Sequence, residues 1–236
     1  MVFQEPMTSL NPVHTIGKQI MEPMLIHRIC GPREARSHAL ELLRKVGIAA
    51  PEQRMREYPH QLSGGMRQRV MIAIALACEP EVLIADEPTS ALDVTVQLQI
   101  LRLLKSLQEQ MGLAVILITH DLGVVAEVAD RVVVMYAGRV VEAGSVHQIF
   151  NQSVHPYVAG LRRSIPDLET EHEWLEVITG QVPDAAHLPP GCPFAPRCEF
   201  VMERCTTEDP PTTWVRAGHT VRCWLNDGPR SEEDAR

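Results

Sequence analysis

Two carboxylates, Asp86 and Glu87, directly follow the short apolar run 82–85. A short, continuous apolar run is typical of a strand that is buried on both faces of a parallel sheet. A carboxylate at the C-terminal end of such a strand lies in the crevice where open α/β sheets bind ligands, and it can hold Mg²⁺ through water. The next carboxylate can polarise an attacking water molecule. We therefore predict Asp86 as a Mg²⁺ ligand and Glu87 as a general base.

A serine and two glycines, Ser63-Gly64-Gly65, precede a segment whose apolar residues have the spacing of a helix. We predict that Ser63 caps this helix, so that backbone N–H groups and the positive end of the helix dipole face outward and can meet an anion. The two glycines allow a phosphate to approach the backbone closely. Taken alone, such a sequence is more often only a loop and a helix cap.

A histidine and a glutamine complete the set of candidate residues. His120 follows a second apolar run, 114–119, and Gln4 lies close to the start of the chain. An acidic pair after a strand is commonly only a helix start, and a lone histidine beside an aspartate is most often a neighbour of a helix cap. Each signal is weak alone, but their joint occurrence in this order, at strand and helix ends, is hard to produce by accident.

Together these segments resemble five motifs of the ATP-binding-cassette ATPases: the glutamine loop, the signature motif, the Walker B strand, the dimer-contacting loop and the switch histidine. The matching segments are, in that order, Phe3-Gln4-Glu5-Pro6, Leu62-Ser63-Gly64-Gly65-Met66-Arg67-Gln68, Val82-Leu83-Ile84-Ala85-Asp86-Glu87-Pro88, Ser90-Ala91-Leu92-Asp93 and Ile118-Thr119-His120-Asp121. The resemblance extends from residue 1 to about residue 160. It implies ATP and Mg²⁺ as cofactors.

The resemblance also implies a role for each candidate residue. The implied catalytic residues are Glu87 and His120, and His120 is expected to contact the terminal phosphate of ATP. Asp86 and Gln4 are expected to surround Mg²⁺. The implied nucleotide-binding residues are Gln4, Ser63, Gly64, Gly65, Gln68 and Asp93. In this family the signature motif covers ATP held by the opposing subunit, so hydrolysis is expected to need a dimer.

The phosphate-binding pattern G-x-x-x-x-G-K-[ST] has no match in the 236 residues, since Gly17-Lys18 is followed by Gln19 and Pro12 replaces the first glycine. In the resembled family that loop precedes the glutamine loop by a substantial segment. We therefore expect an N-terminal truncation or a misplaced start, and no binding or hydrolysis of ATP by this chain alone. A paralogue that had lost hydrolysis is expected to differ at Glu87 or His120, and both are present.

Four cysteines cluster in the last fifth of the chain: Cys192, Cys198, Cys205 and Cys223. Their spacing, C-x₅-C-x₆-C-x₁₇-C, lacks the close C-x₂₋₄-C pair of most structural zinc sites, which favours a cluster of larger reach. The segment 192–198 resembles the C-terminal extension of oligopeptide and dipeptide transporter ATPases, some of which carry a four-iron cluster. We predict an iron–sulfur cluster here, with zinc and four free thiols as the alternatives.

Composition restricts the class of protein. With 236 residues, 45% hydrophobic and 22% charged, the chain suits one sizeable core with a small appendage. Its apolar runs are too short to span a bilayer, and its N-terminus does not have the pattern of a secretory signal. The net charge of −8 argues against a nucleic-acid partner. We expect a peripheral subunit at the cytoplasmic face of the inner membrane.

The predicted fold class is α/β, a P-loop NTPase-like cassette core with a mostly parallel sheet, a helical subdomain and a small Pro/Cys-rich extension. Residues 131–144 are predicted as a hairpin and 145 to about 164 as one amphipathic helix. The predicted segments are a glutamine loop (1–13), the helical subdomain (14–80), part of the catalytic core (81–164), the extension (165–226) and a disordered tail (227–236).

The function implied by the resemblance is that of an ATPase subunit that energises peptide import, a translocase component. The expected partners are a second ATPase subunit, identical or different, two membrane permease subunits and, indirectly, an extracytoplasmic peptide-binding protein. The loop 7–12 and the cysteine extension favour the peptide/nickel branch of importers. The alternatives are a non-transport cassette ATPase and a scaffold paralogue that has lost hydrolysis.

Overall fold

The computed structural model describes residues 1–5, 9–90, 92–164, 177–184 and 186–226. The chain divides into two compact units, Met1–His120 and Asp121–Arg236, and each unit is described by itself. The predicted disordered tail, 227–236, and the first part of the predicted extension, 165–176, lie outside the described residues.

The N-terminal unit begins with helices. They are α1 (Ile16–Ile26), α2 (Pro32–Lys45), the short α3 (Pro51–Arg54) and α4 (Gly64–Leu76). The side chain of Thr15 caps α1, and Pro32 starts α2 where its missing N–H costs nothing. On both helices the buried apolar side chains recur every four positions and belong to one core: Ile16, Ile20, Met24, Ala35, Ala39 and Leu43. These two helices therefore pack against each other as a helical hairpin.

A parallel pair of strands completes this unit. Strand β1 (Val82–Asp86) leads into helix α5 (Val94–Met111), which returns the chain to strand β2 (Ala114–Ile118). The register places Asp86 opposite Ile118, so both strands end at the same edge. On the other side of β1, Val2 forms a parallel bridge with Ala85.

The prediction that the strand at 82–85 is buried on both faces is wrong for the described residues, and the second strand is likewise exposed on one face. Leu83 and Ala85 pack into the core of the unit, whereas Val82 and Ile116 are 48% and 51% exposed. The cause is that the described helices of this unit cover only one face of the pair, so side chains alternate between core and solvent. The hydrophobicity of a segment does not by itself determine its burial, because burial depends on which elements pack against the strand.

The C-terminal unit is built around a hairpin. After helix α6 (Leu122–Val128), strands β3 (Arg131–Tyr136) and β4 (Arg139–Ser145) pair in antiparallel fashion. Ala137 and Gly138 form the turn, and both have the positive φ that a tight two-residue hairpin turn requires. The predicted hairpin is therefore present.

The predicted single helix from 145 to about 164 is wrong, because the structure has two helices there. Helix α7 (Val146–Gln152) and helix α8 (Pro156–Arg163) are separated by three residues. Pro156 has no N–H to continue the first helix, and it disfavours helical backbone at the residue before it. His155 accordingly has an extended backbone with ψ of 128°.

The extension shares a sheet with the hairpin. Helix α9 (Glu203–Thr207) precedes strands β5 (Thr213–Arg216) and β6 (His219–Val221), and the sheet order is β3-β4-β6-β5. Strand β6 pairs with β4 through Glu142 and Val221. The segment boundaries predicted from the sequence stay predictions. Among the described residues, no helix has both the length and the hydropathy that crossing a membrane demands.

Candidate functional site

Glu87 occupies a strained position at the end of β1. Its φ is +41°, in the left-handed region that residues other than glycine seldom adopt, and its backbone N–H donates to the Ile118 carbonyl at 2.9 Å. Such a conformation costs about 1–2 kcal/mol and persists where the surrounding structure enforces it. Here the hydrogen bond to the neighbouring strand end holds the backbone, so the carboxylate stands at the edge where both parallel strands finish.

Both oxygens of the Glu87 carboxylate have side-chain partners. Gln4 Nε2 donates to Oε2 at 2.8 Å, and His120 Nδ1 lies 2.9 Å from Oε1. The carboxylate is 24% exposed and the imidazole 79% exposed, so the group is open to solvent and to a ligand. The structure therefore brings together three of the residues predicted from separate motifs.

The strands position these side chains. The Val2 N–H donates to the Ile84 carbonyl at 2.7 Å, and the Asp86 N–H donates to the Val2 carbonyl at 2.9 Å. These bonds hold the first residues alongside β1 and deliver Gln4 to its end. His120 follows β2, which ends at the same edge. Asp86 is the last residue of β1 and is half-buried.

This arrangement suits proton transfer from water. A carboxylate accepts hydrogen bonds only, and two fixed contacts restrict its rotation, which favours a single orientation toward an attacking water molecule. If Nδ1 of His120 donates to Glu87, then Nε2 is an acceptor in the neutral ring and a second donor in the imidazolium. His120 can therefore contact a phosphate oxygen through Nε2 only when that nitrogen carries a proton.

The predicted signature residues line a separate groove. Its walls are formed by 63–66, Arg69, 92–93, Val96 and Gln99. Ser63 accepts the Met66 N–H at 3.3 Å and caps α4, and Asp93 accepts the Val96 N–H at 3.0 Å and caps α5. Two helices of 13 and 18 residues thus begin at one groove. Their positive ends favour an anion there.

Close helix packing explains one of the two glycines. A Cβ on Gly65 would lie 2.7 Å from Val96 Cγ1, whereas one on Gly64 would lie 3.5 Å from Leu92 Cδ2, an ordinary contact. Gly65 is therefore needed for the approach of α4 to α5, whatever else it does. Helix packing does not require glycine at position 64, but the lack of a side chain there keeps the groove open.

Gln68 is not among the residues that line the groove. It is only 1% exposed, and its Nε2 has no hydrogen-bond partner among the residues that the structure describes. Its predicted contact with a nucleotide stays a prediction, and its burial favours a role in placing α4. The predicted loops 7–12 and 90–93 are described only in part, because residues 7, 8 and 91 lie outside the described ranges.

The four clustered cysteines line one small cavity in the C-terminal unit: Cys192, Cys198, Cys205 and Cys223. The Cys192 N–H donates to the Cys205 carbonyl at 2.8 Å, which brings the chain at Cys192 beside helix α9. Apart from His155 and Trp224, the other lining residues are proline, phenylalanine, alanine and leucine. All four cysteines thus lie around one cavity, and the cluster assigned to them from the sequence stays a prediction.

The thiols also influence one another. Burial raises the pKa of Cys223 to about 11, and the charges of Cys192, Cys198 and Cys205 add to the rise. Burial likewise raises the pKa of Cys192 and of Cys198, again with contributions from neighbouring cysteines. Thiolates in this cavity therefore need a compensating cation. Within the described ranges, no group of three or more His, Cys, Asp or Glu residues is arranged to hold a metal ion, so the cluster and zinc stay predictions.

A buried polar network beside this cavity was missed from the sequence. Glu142 is fully buried and accepts the N–H groups of Val154 at 3.0 Å and His155 at 2.9 Å. His219 Nε2 lies 2.7 Å from the same carboxylate. Burial lowers the pKa of His155 to about 4. The only sequence signal was a glutamate within an otherwise apolar hairpin strand, which is too weak to identify partners far along the chain.

Comparison with known protein families gives two matches. Residues 1–90 match the model of the ABC transporter family, and residues 141–205 match the C-terminal region of oligopeptide/dipeptide transporters. The first match contains Gln4, Ser63 and Glu87, and the second contains Cys192, Cys198 and Cys205.

Individual relatives are similar over nearly the whole chain. The oligopeptide transport ATP-binding protein AppD of Bacillus subtilis is 55% identical over 233 residues, which cover 99% of this chain and 71% of AppD. The dipeptide transport ATP-binding protein DppD of the same organism is 53% identical over 227 residues, which cover 96% of this chain and 68% of DppD.

Solved structures of cassette proteins share the fold. A dimeric, post-hydrolysis state of the ATP-binding cassette MJ0796 bound to ADP and Pi matches with a TM-score of 0.53 and 35% identity, over 61% of each chain. CbiO1 of Clostridium perfringens, part of the transporter complex CbiONQ, matches with a TM-score of 0.57 and 33% identity, over 64% of this chain and 58% of CbiO1. The chain thus spans less than two thirds of these solved chains.

Proposed function

Because this chain belongs to the ATP-binding subunits of the oligopeptide/dipeptide ABC transporter family, we propose that it energises the import of di- and oligopeptides by hydrolysing ATP. The observation that carries the proposal is the contact of Gln4 and His120 with the two oxygens of Glu87 at the ends of parallel strands. Phosphoryl transfer to water needs a positioned base, and this group provides one.

In the proposed reaction, Glu87 accepts a proton from the water that attacks the terminal phosphate of ATP. Gln4 holds the carboxylate in place through Oε2, and Asp86, one residue earlier, holds Mg²⁺. Bound Mg²⁺ supplies charge neutralisation at the phosphate oxygens. His120 contacts the terminal phosphate through Nε2, so loss of that phosphate after hydrolysis changes the contacts of His120 and signals the nucleotide state.

The groove at 63–66 has a different task in this proposal. It covers the phosphates of ATP held by a second ATPase subunit, either identical or different. Two helix N-termini and the open glycine at position 64 support this role, because both favour the close approach of an anion. The 236 residues contain no G-x-x-x-x-G-K-[ST] pattern, so we propose that the chain alone does not hydrolyse ATP but can complete the site of a partner.

The proposed assembly lies at the cytoplasmic face of the inner membrane. Two permease subunits hold the ATPase there, the loop 7–12 transmits the nucleotide state to them, and an extracytoplasmic peptide-binding protein delivers cargo. The relatives AppD and DppD support the peptide class, because they are named for oligopeptide and dipeptide transport.

We further propose that the four cysteines of the extension hold a [4Fe-4S] cluster. Four thiols around one apolar cavity are the donor set that such a cluster requires. Zinc is the alternative, and it is disfavoured by the lack of a close C-x₂₋₄-C pair among these four cysteines. When bound, the cluster supplies positive iron centres that stabilise four thiolates. Its bonds to the four cysteines would hold the segments of the extension together.

ATP turnover tests the central proposal. A cassette segment that carries the pattern G-x-x-x-x-G-K-[ST] is joined ahead of Met1, and the chimaera is compared with the 236-residue chain. We expect Mg²⁺-dependent turnover by the chimaera and none by the chain alone. Turnover by the chain alone would show that the cis site is complete without that loop. An inactive, well-folded chimaera would favour the scaffold paralogue over the ATPase.

A further inference from the structure

His155 sits between helices α7 and α8 and is only 1% exposed. Its Nδ1 accepts the backbone N–H of Tyr157 at 3.1 Å and so caps α8. A nitrogen that accepts a hydrogen bond carries no proton, and therefore the ring in this contact is neutral with its single proton on Nε2. The helix cap thus fixes the tautomer of this histidine.

That Nε2–H group has no hydrogen-bond partner among the residues that the structure describes. A buried donor without an acceptor costs about 1–3 kcal/mol, so an orphaned one calls for an explanation. His155 is one of the residues that line the cavity of the four cysteines. The other lining side chains are apolar except that of Trp224, whose indole N–H already donates to the Glu208 carbonyl.

Sulfur is therefore the one acceptor that the side chains of this cavity can offer. Neutral thiols are weak acceptors, whereas thiolates that ligate iron, and the sulfides of a cluster, carry negative charge and accept readily. An unpaired N–H donor beside four thiols is expected where a negatively charged sulfur is to be bound.

We propose that His155 donates a hydrogen bond from Nε2 to a sulfur atom of the cluster held by Cys192, Cys198, Cys205 and Cys223, and so tunes its reduction potential. The inference rests on the proposed cluster and adds a residue that is not a ligand. His155 is a positioning residue, since four thiolates already complete the ligand set of a four-iron cluster.

The surrounding network holds the imidazole in place. Glu142 accepts the His155 backbone N–H at 2.9 Å and that of Val154 at 3.0 Å, and it pairs with His219 at 2.7 Å. The Phe194 ring lies 5.8 Å from the imidazole, centroid to centroid, and packs against it. The ring is thus fixed through its backbone, through Nδ1 and through its face, and Nε2–H is the one polar group left to act.

The chemical consequence is a higher reduction potential. A hydrogen bond to sulfur withdraws negative charge from it and stabilises the reduced, more negative form of the cluster. Removal of the donor is therefore expected to make the cluster harder to reduce without removing any ligand.

Two substitutions separate the donor from the helix cap. His155→Asn keeps a side-chain oxygen that can accept the Tyr157 N–H, because asparagine is a strong helix cap, but it removes the Nε2–H. His155→Gln retains an N–H donor near the position of Nε2. Both variants and the unsubstituted chain are loaded anaerobically with iron and sulfide, and tryptophan fluorescence checks that the unit is folded.

Three readouts are compared: iron and sulfide content, the midpoint potential from a redox titration, and the shift of the Fe–S stretching bands in D₂O by resonance Raman spectroscopy. We expect equal cluster content in all three proteins. In His155→Asn the potential is expected to be more negative and the D₂O-sensitive shift to be lost. His155→Gln is expected to restore part of both, which a purely structural role would not do.

The outcomes separate the two proposals. A full cluster in His155→Asn with unchanged potential and unchanged bands overturns the hydrogen bond but leaves the cluster standing. An unsubstituted chain that binds no iron and sulfide, or that binds zinc alone, overturns the cluster and the hydrogen bond with it. Loss of the cluster from either variant overturns the tuning role, because a residue that is not a ligand should leave the iron and sulfide content unchanged.

Discussion

The packing of α4 against α5 gives a sharp prediction at Gly65. In Gly65→Ala the new Cβ would lie 2.7 Å from Val96 Cγ1, closer than carbon atoms tolerate. Val96 cannot easily turn away, because a β-branched residue in a helix has one strongly preferred rotamer. Overpacking of this kind costs about 1–3 kcal/mol, and alanine recovers about 0.5–1 kcal/mol of helix propensity. We expect a net loss of about 0.5–2 kcal/mol in the free energy of unfolding.

A double-mutant cycle isolates the steric contribution. Val96→Ala removes Cγ1, so the double variant Gly65→Ala/Val96→Ala should be relieved of the clash and show a coupling of about 1–3 kcal/mol. Gly64→Ala is the matched control, because its Cβ would lie 3.5 Å from Leu92 Cδ2, and we expect it to be as stable as the parent or more stable by up to about 1 kcal/mol.

Urea unfolding followed by far-UV circular dichroism, with amide exchange over 66–76, measures this cycle. The three tryptophans, Trp174, Trp214 and Trp224, all lie in the C-terminal unit, so circular dichroism and amide exchange, rather than fluorescence, are used to follow the N-terminal unit. A coupling below about 0.5 kcal/mol, the limit expected for independent sites, would refute the assignment of Gly65 to helix packing.

Three further predictions concern the C-terminal unit. Glu142→Ala leaves buried partners of the carboxylate unpaired, so the free energy of unfolding measured in urea should fall by about 3–5 kcal/mol. Val140→Ala, at an exposed strand position, is the control and should change this free energy by less than about 0.5 kcal/mol. Ala137→Gly relieves a φ of +47° in the hairpin turn, so it should raise the thermal midpoint and add up to about 1 kcal/mol to the free energy of unfolding. A lower thermal midpoint would contradict the claim that Ala137 is strained. Cys205→Ser should sharply lower the iron and sulfide taken up under anaerobic conditions, and undiminished uptake would exclude this cysteine as a ligand.

Local sequence signals predicted the elements of this fold well. Ser63 caps α4 as predicted, because a helix cap is determined by a few neighbouring residues. The hairpin turn at Ala137-Gly138 is likewise determined by the residues next to it in the sequence. The apolar periodicity continues across the break and so predicts one helix from 145 to about 164, whereas Pro156 disfavours helical backbone at the residue before it.

The contact between Glu87 and His120 follows from their places in the chain, because each residue follows a strand and parallel strands end at one edge of a sheet. Gln4 joins them through a backbone bridge at Val2, which no sequence pattern indicates.

Long-range polar contacts could not be predicted. Glu142 and His219 are 77 positions apart, and their pairing depends on the alignment of β4 with β6. The burial of Gln68 likewise depends on how α4 packs, whereas its motif position alone suggested an exposed nucleotide contact. Such features are set by tertiary packing, which overrides local pattern.

The ATPase activity of Glu87→Gln in the chimaera tests the central claim most directly. Glutamine keeps the shape of the side chain but cannot accept the proton from water, and general-base catalysis contributes about 10²–10⁴-fold. Glu109→Gln, at an exposed position of α5, is the matched control. We predict that turnover falls by about that factor in Glu87→Gln and is unchanged in Glu109→Gln. Equal turnover in both variants would contradict the assignment of Glu87 as the base.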